Sequence, residues 1–196
     1  MTTEEKIILA AEEIFIENGF DGARMQAIAD KAEINKAMLH YYFRSKEMLF
    51  EKIFEEKVKV LFPQIGEQMK DKVSFIDKVC FFIEQYYIIL NRYPFLPLFV
   101  ISTMNKKGNQ KFVKSLPFHF LKEFFFESFM SEFQAGKIRP INPFQFAVSI
   151  MGMSVFPFLA KPAISELLKI QDGEFQELMT QRVEELKSYV RILLTP

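Results

Sequence analysis

The sequence has no tryptophan, one cysteine, two histidines, seven glycines and a formal net charge of zero across its 196 residues. The single cysteine, Cys80, excludes an internal disulfide and a cysteine-based zinc site. It sits in an apolar run, so a buried free thiol in a reducing cytoplasm is expected. Zero net charge limits indiscriminate attraction to nucleic acid and leaves any such affinity to a local patch. The longest apolar run, 144–160, is interrupted by Gln145, Ser149, Ser154 and Pro157. It falls short of the unbroken stretch of about 20 residues that a membrane span needs, so no membrane association is expected. The N-terminus is polar and acidic, without the apolar centre of a signal peptide. Gly-rich phosphate loops, HExxH and acidic ligand loops are absent, and no nucleophile–base pair assembles. No cofactor, metal or catalytic residue is therefore expected. Phenylalanine alone is in excess, with 24 residues.

What is present centres on residues 23–46, ARMQAIADKAEINKAMLHYYFRSK. Met25, Ile28, Ala29 and Ala32 recur at the 3,4 spacing of a buried helical face. Glu33-Ile34-Asn35 breaks that pattern, Asn35 stands where an N-cap belongs, and the helical period resumes over Lys36–Phe43. Two helices across a short turn form a helix-turn-helix, whose second helix enters the DNA major groove. From Ile34 to Lys46 there is no acidic residue, while Lys36, His40, Arg44 and Lys46 are basic. On a helical wheel Leu39 and Phe43 point inward. Ala37, Met38 and Tyr41 lie opposite, flanked by Lys36, His40 and Tyr42. Such an outward face can bond base edges and phosphates or touch a thymine methyl. The plainer reading is a surface helix of some other helical bundle.

Residues 4–50 carry further matching words: Ala10-Ala11 with Ile14-Phe15, Asn18-Gly19-Phe20, Ile28-Ala29, Ala32, Leu39-His40-Tyr41-Tyr42-Phe43 and Ser45-Lys46-Glu47. Taken in register they resemble the N-terminal domain of the tetracycline-repressor (TetR) family of bacterial transcription regulators. That resemblance implies an all-α fold: a three-helix helix-turn-helix DNA-binding domain over 1–47, then a larger helical effector-binding and dimerisation domain over 48–196. It implies DNA contacts from Arg24, Gln26, Lys36, Ala37, His40, Tyr41, Tyr42 and Lys46 on a double-stranded, near-palindromic operator. The chain departs from the family where Glu33 stands at the usual turn glycine, and where Ala23-Arg24 replaces the usual Thr or Ser cap. Either Asp21 caps the second helix instead, or that helix end is less well satisfied.

Elsewhere, Thr2-x-x-Glu5 is a capping-box spacing, and Asn18-Gly19 ends the first helix. Ser45 is placed to cap a long helix from Lys46 to Pro63, whose first amides suit a phosphate. Residues 63–72 are polar and loop-like. Helices are expected over Ser74–Arg92 and Gln110–Gln134, the latter kinked at Pro117, and over Phe144–Lys169 and Glu174–Leu194. Within the family the last pair forms a four-helix interface in a homodimer. That places Met151, Val155, Leu178, Met179, Val183, Leu186 and Val190 at the contact; intramolecular core is the alternative. The family also implies a cavity for a hydrophobic small-molecule effector, for which Phe82, Tyr86, Phe99, Thr103, His119, Phe120 and Phe124 are candidates. His119, flanked by phenylalanines, reads more readily as a partly buried core histidine than as a ligand or base. A ligand-responsive repressor is the function implied. A helical interaction module without DNA binding, or an all-helical enzyme, are the alternatives.

Overall fold

The computed structural model describes residues 1–106, 108–117 and 121–196, leaving out the side chains at 121, 123 and 124. The described residues contain helices and no strand. They divide into two compact units: Met1–Leu61 with Phe99–Leu116, and Phe62–Leu98 with Pro117–Pro196.

In the first unit, α1 (Thr3–Gly22) opens on the capping box its spacing predicts. The Glu5 N–H donates to Thr2 Oγ1 at 3.2 Å, and the Thr2 N–H to the Glu5 carboxylate at 2.8 Å. Regular helix stops at Gly19, whose φ of +68° is the left-handed region that glycine enters without strain. Then follow α2 (Met25–Lys31), α3 (Lys36–Tyr42) and α4 (Lys46–Lys70). Ile7, Ala11, Phe15, Ile28, Ala29, Leu39, Leu49 and Ile53 are all buried here. Burying each large side chain contributes about 1.5–3 kcal/mol, so this small unit rests on its apolar stripes. A Glu12–Lys57 ion pair of 2.7 Å ties α1 to α4.

Two further helices reach this unit. They are α6 (Leu96–Met104), through its residues from Phe99 onward, and α7 (Gln110–Ser115). Phe99 stands 5.1 Å from the Phe20 ring, and Phe112 stands 5.2 Å from Phe54. The first unit is therefore larger than the 1–47 domain expected, because phenylalanines distant in sequence complete its core. Phe99 and Thr103, expected to line an effector cavity with Phe82 and Tyr86, are buried in this unit instead.

Proline 63 does not end α4, contrary to expectation; the helix continues to Lys70. A mid-helix proline forfeits one backbone hydrogen bond. Burial of Ile65 and Met69 against Phe82 offsets that loss. With Phe62 these residues form a 3,4 stripe masked by the polar residues between them.

In the second unit, α5 (Phe75–Arg92) is capped by Ser74, whose hydroxyl accepts the Asp77 N–H at 3.1 Å. A π-helical turn, Leu121–Phe126, leads into α8 (Glu127–Gln134). The helix expected over Gln110–Gln134 with a kink at Pro117 instead ends as α7 at Ser115, just before that proline. Asn142 and Pro143 start α9 (Pro143–Leu159) as their order predicts, Asn142 Oδ1 accepting the Gln145 N–H at 3.0 Å. The expected Phe144–Lys169 helix is two helices, α9 and α10 (Lys161–Leu168), bent by 66°. Pro162 has no N–H for the carbonyl four residues earlier, which breaks the ladder there. A capping box of Gln171 and Glu174 starts α11 (Asp172–Leu194), which packs along α5 and α9. Among the described residues no single helix is long and apolar enough to cross a membrane.

The excess phenylalanine is largely core. Phe75 meets Phe125 and Phe129 edge-on at 5.3 and 5.4 Å, with Phe146 beside them. Three residues expected at a dimer contact, Met179, Leu186 and Val190, belong to this core, because that side of α11 faces α5 within the chain. Leu178 and Val183 are half-buried against it, and Met151 packs against the Phe82 cluster. Val155 is half-buried.

Leu186→Ala is expected to cost about 2–5 kcal/mol in denaturant unfolding, since it empties a fully buried site. Desolvation pushes the phenol of half-buried Tyr86 up to about 12, and raises that of Tyr87 as well. An unfolded phenol ionises near ~10, so the stability these groups contribute is intact below that pH and is lost as pH rises from about 10 to about 12. Denaturant titrations at successive alkaline pH values should show the fall, and Tyr86→Phe should shallow it.

Candidate nucleic-acid interface

The turn between α2 and α3 sets the site. Ala32 ends α2, and the chain turns through Glu33 at φ +57°. The Ile34 N–H donates to the Ala29 carbonyl at 3.0 Å and the Glu33 N–H to the Asp30 carbonyl at 3.1 Å. This is the Schellman arrangement, which ordinarily places glycine where Glu33 stands. Asn35 then caps α3, its side-chain oxygen accepting the Met38 N–H at 2.8 Å. Leu39 and Phe43 are buried, as the wheel predicts. Lys36, Ala37, Met38, His40, Tyr41 and Tyr42 are exposed, Tyr41 at 84%. The two phenol rings meet edge to face at 5.5 Å. Seven helical residues thus present an ammonium, an imidazole, two phenols, a thioether and a methyl group, with no carboxylate among them.

Arg24 and Gln26 are exposed at the start of α2. Arg24 is itself the N-cap and gives no side-chain bond, and Asp21 does not substitute as a cap. The Gln26 amide donates to Asp30 at 2.7 Å. Lys46 also makes contacts within the chain. Its ammonium donates to the Asp21 and Ala23 carbonyls at 3.2 and 3.1 Å and lies 4.6 Å from the Phe20 ring centre. Met38 and Arg44, absent from the expected contacts, are exposed as well; the acid-free run around them was the available signal.

The candidate effector residues that are described fall in both compact units. Phe82 is core against Ile65 and Met69, with Tyr86 stacked on it at 5.7 Å. Thr103 is buried in the first unit. His119 and Phe120 lie outside the described residues, as does the side chain of Phe124. An open groove of about 730 Å³ runs between α1 and α4 in the first unit, rimmed by Glu4, Glu5 and Glu56 and far from the expected effector set in sequence.

A family model described as bacterial regulatory proteins of the tetR family matches residues 7–53, which contain α2, the turn and α3. Over these residues the chain is similar to that family. Two curated proteins are similar to part of the chain. The repressor NicS of Pseudomonas putida is 32% identical over 90 residues, 44% of this chain and 42% of that protein. The fatty acid metabolism regulator protein of Bacillus subtilis is 28% identical over 85 residues, 43% of this chain and 44% of that protein. The match spans less than half the length of these relatives. In fold, the likeness extends to the whole chain. The structure of the B. subtilis regulator FadR in complex with stearoyl-CoA superposes with a TM-score of 0.60 at 20% identity, covering 94% of this chain and 97% of that one.

Glu33→Gly is expected to stabilise this domain by about 1 kcal/mol, because a left-handed conformation strains a residue with a Cβ. Asn35→Ala is expected to cost about 1 kcal/mol by removing the α3 cap. Thermal unfolding of both variants checks the two signs.

Proposed function

We propose that the chain is a cytoplasmic, ligand-responsive transcriptional regulator. It acts as a repressor, binding a near-palindromic duplex operator as a homodimer and leaving it when a hydrophobic small molecule binds. The observation that carries this reading is the outward side of α3. It is exposed and free of carboxylates, on a helix held by buried Leu39 and Phe43. Lys36, Ala37, His40, Tyr41 and Tyr42, with Arg24 and Gln26 at the head of α2 and Lys46 at the head of α4, are the proposed DNA contacts. Phenols and an imidazole can bond base edges, an ammonium finds phosphate, and the Ala37 methyl suits a thymine methyl.

For the homodimer, the support has moved along the helices. The large apolar residues left exposed on the last two long helices are Phe144, Val148 and Phe156 of α9 and Tyr189, Ile192 and Leu193 of α11. Phe144, Val148 and Phe156 fall on one four-residue repeat with Gly152 between them, a stripe that a two-fold mate can cover. Phe156 is 64% and Ile192 63% exposed, which a solvated surface gains nothing by keeping apolar.

The effector reading rests on the second unit. Its relative in fold was captured with stearoyl-CoA, so acyl-CoA thioesters are the first class to test. Both α4 and α6 run from one compact unit into the other, so each can carry a shift to the α2–α3 pair. Linkage requires that an effector which releases DNA be itself released by DNA, with a coupling of about 1–3 kcal/mol as the usual size.

The test is retention of the purified chain on duplexes from beside its own gene, with and without acyl-CoAs. Tyr41→Ala should alter base preference. No retention of any such duplex at low salt would refute DNA binding. Acyl-CoAs that bind yet leave retention unchanged would refute their role as inducers. Phe156→Glu with Ile192→Glu is expected to sediment as a folded monomer with much weakened operator affinity. A wild-type chain that is monomeric at micromolar concentration would refute the dimer.

A further inference from the structure

The chain has 25 acidic and 25 basic side chains, yet no acid falls between Gln85 and Lys122. That run carries Arg92, Lys106, Lys107, Lys111, Lys114 and Lys122. Its middle part, Phe99–Leu116, belongs to the unit that holds α2 and α3. Aromatic contacts fix where it lies. The Phe99 ring centre stands 4.1 Å from that of Phe50 and 5.1 Å from that of Phe20, the ring beneath the Lys46 ammonium at the head of α4. Thr103, one turn further along α6, is buried. Its carbonyl accepts the Lys106 N–H at 3.2 Å and the Asn109 side-chain amide at 2.9 Å, which ties down the connection to α7. At the far end Phe112 is buried against Phe54 at 5.2 Å and Phe99 at 6.0 Å. Held at both ends, the connection stays beside α4. Lys106, Lys111 and Lys114 are exposed, the last two three apart on a side of α7 turned from Phe112. Lys107 lies outside the described residues. The Glu47 carboxyl, second in α4, is held below its ordinary range, first by a hydrogen bond from its own backbone N–H, then by the Ser45 hydroxyl and the charges of Lys106 and Lys46. One carboxylate thus stands in the field of both ammonium groups. Exposed like charges repel one another and contribute nothing to folding, so a cationic cluster on a neutral protein suits an anionic partner.

We propose that the α6–α7 connection is a second phosphate-binding surface: Lys106, with Lys111 and Lys114 beyond it, takes duplex phosphates next to those met by the head of α4. This rests on the DNA-binding reading above and extends it beyond the helix-turn-helix. Ammonium groups on flexible stems act as point charges, without the planar fork that reads a guanine edge. The surface therefore adds affinity for any duplex and leaves sequence preference to α3.

Salt dependence tests this. Each phosphate that a cation neutralises adds about 0.9 to the slope of log affinity against log salt, whatever the DNA sequence. The experiment compares wild type, Lys106→Gln, Lys106→Arg and the triple variant Lys106→Gln, Lys111→Gln, Lys114→Gln. A control, Lys137→Gln with Lys169→Gln, removes exposed charge from the other unit. Each is titrated with the footprinted duplex from beside its own gene and with a random duplex, between about 50 and 200 mM salt. Lys106→Gln is expected to lower the slope by about 0.9 on both duplexes, and the triple variant by about 2–3. The ratio of specific to random affinity should stay within about twofold of wild type, because phosphate contacts carry no sequence information. Lys106→Arg, which keeps the charge, and the control should keep the wild-type slope. A triple variant with the wild-type slope on both duplexes would overturn the proposal. So would a control that lowers the slope as much as the triple variant does, since the effect would then be one of overall charge. A changed ratio with an unchanged slope would make these lysines structural and overturn it too. A wild type that binds neither duplex refutes the DNA-binding reading itself and this surface with it, an outcome distinct from the others.

Discussion

Burial of the short helices' inward side chains is the constraint from which the rest follows. Seven residues cannot hold a helix in water, because nucleation costs more than so few hydrogen bonds return. Both α2 and α3 are that short. They persist because Ile28, Ala29, Leu39 and, just beyond, Phe43 are withdrawn from water. Every exposed group on α3 owes its direction to that anchoring, since a helix fixed along one side has no freedom to turn the other.

The turn between them shows how local and tertiary demands compete. A glutamate sits at the left-handed position that glycine fills without strain. The two bonds from Glu33 and Ile34 back to Asp30 and Ala29 are made nonetheless. A strained residue costs about 1 kcal/mol. The burial that depends on the turn is worth several times that, so the packing prevails.

The same balance recurs at Pro63. Local rules end a helix at such a residue, and tertiary burial of Ile65 and Met69 carries α4 past it. At Pro162 no comparable burial compensates, for α10 has no fully buried residue, and the helix bends. Proline sets a penalty in both places. Whether the chain accepts it depends on what the next turn can bury.

The caps at Thr2, Asn35, Ser45 and Asn142 were legible in the sequence, because a cap and its partner are neighbours in the chain. So was the inward pair Leu39 and Phe43, because helical period alone puts them on one side. The helix-turn-helix was legible from that same period, and the resemblance of residues 4–50 to a known family supplied the expected all-α fold. The assignment of phenylalanines could not. Phe99 and Phe112 join Phe20, Phe50 and Phe54 across scores of residues, and apolarity says only that a side chain will be buried, not against what. Likewise α11 carries apolar residues on more than one side, and only its packing on α5 decided that Met179, Leu186 and Val190 are core while Ile192 is left outside. Lys46 is the sharpest case. Its charge was plain in the sequence, but the carbonyls that take it lie more than twenty positions earlier, and only the folded chain brings them within reach.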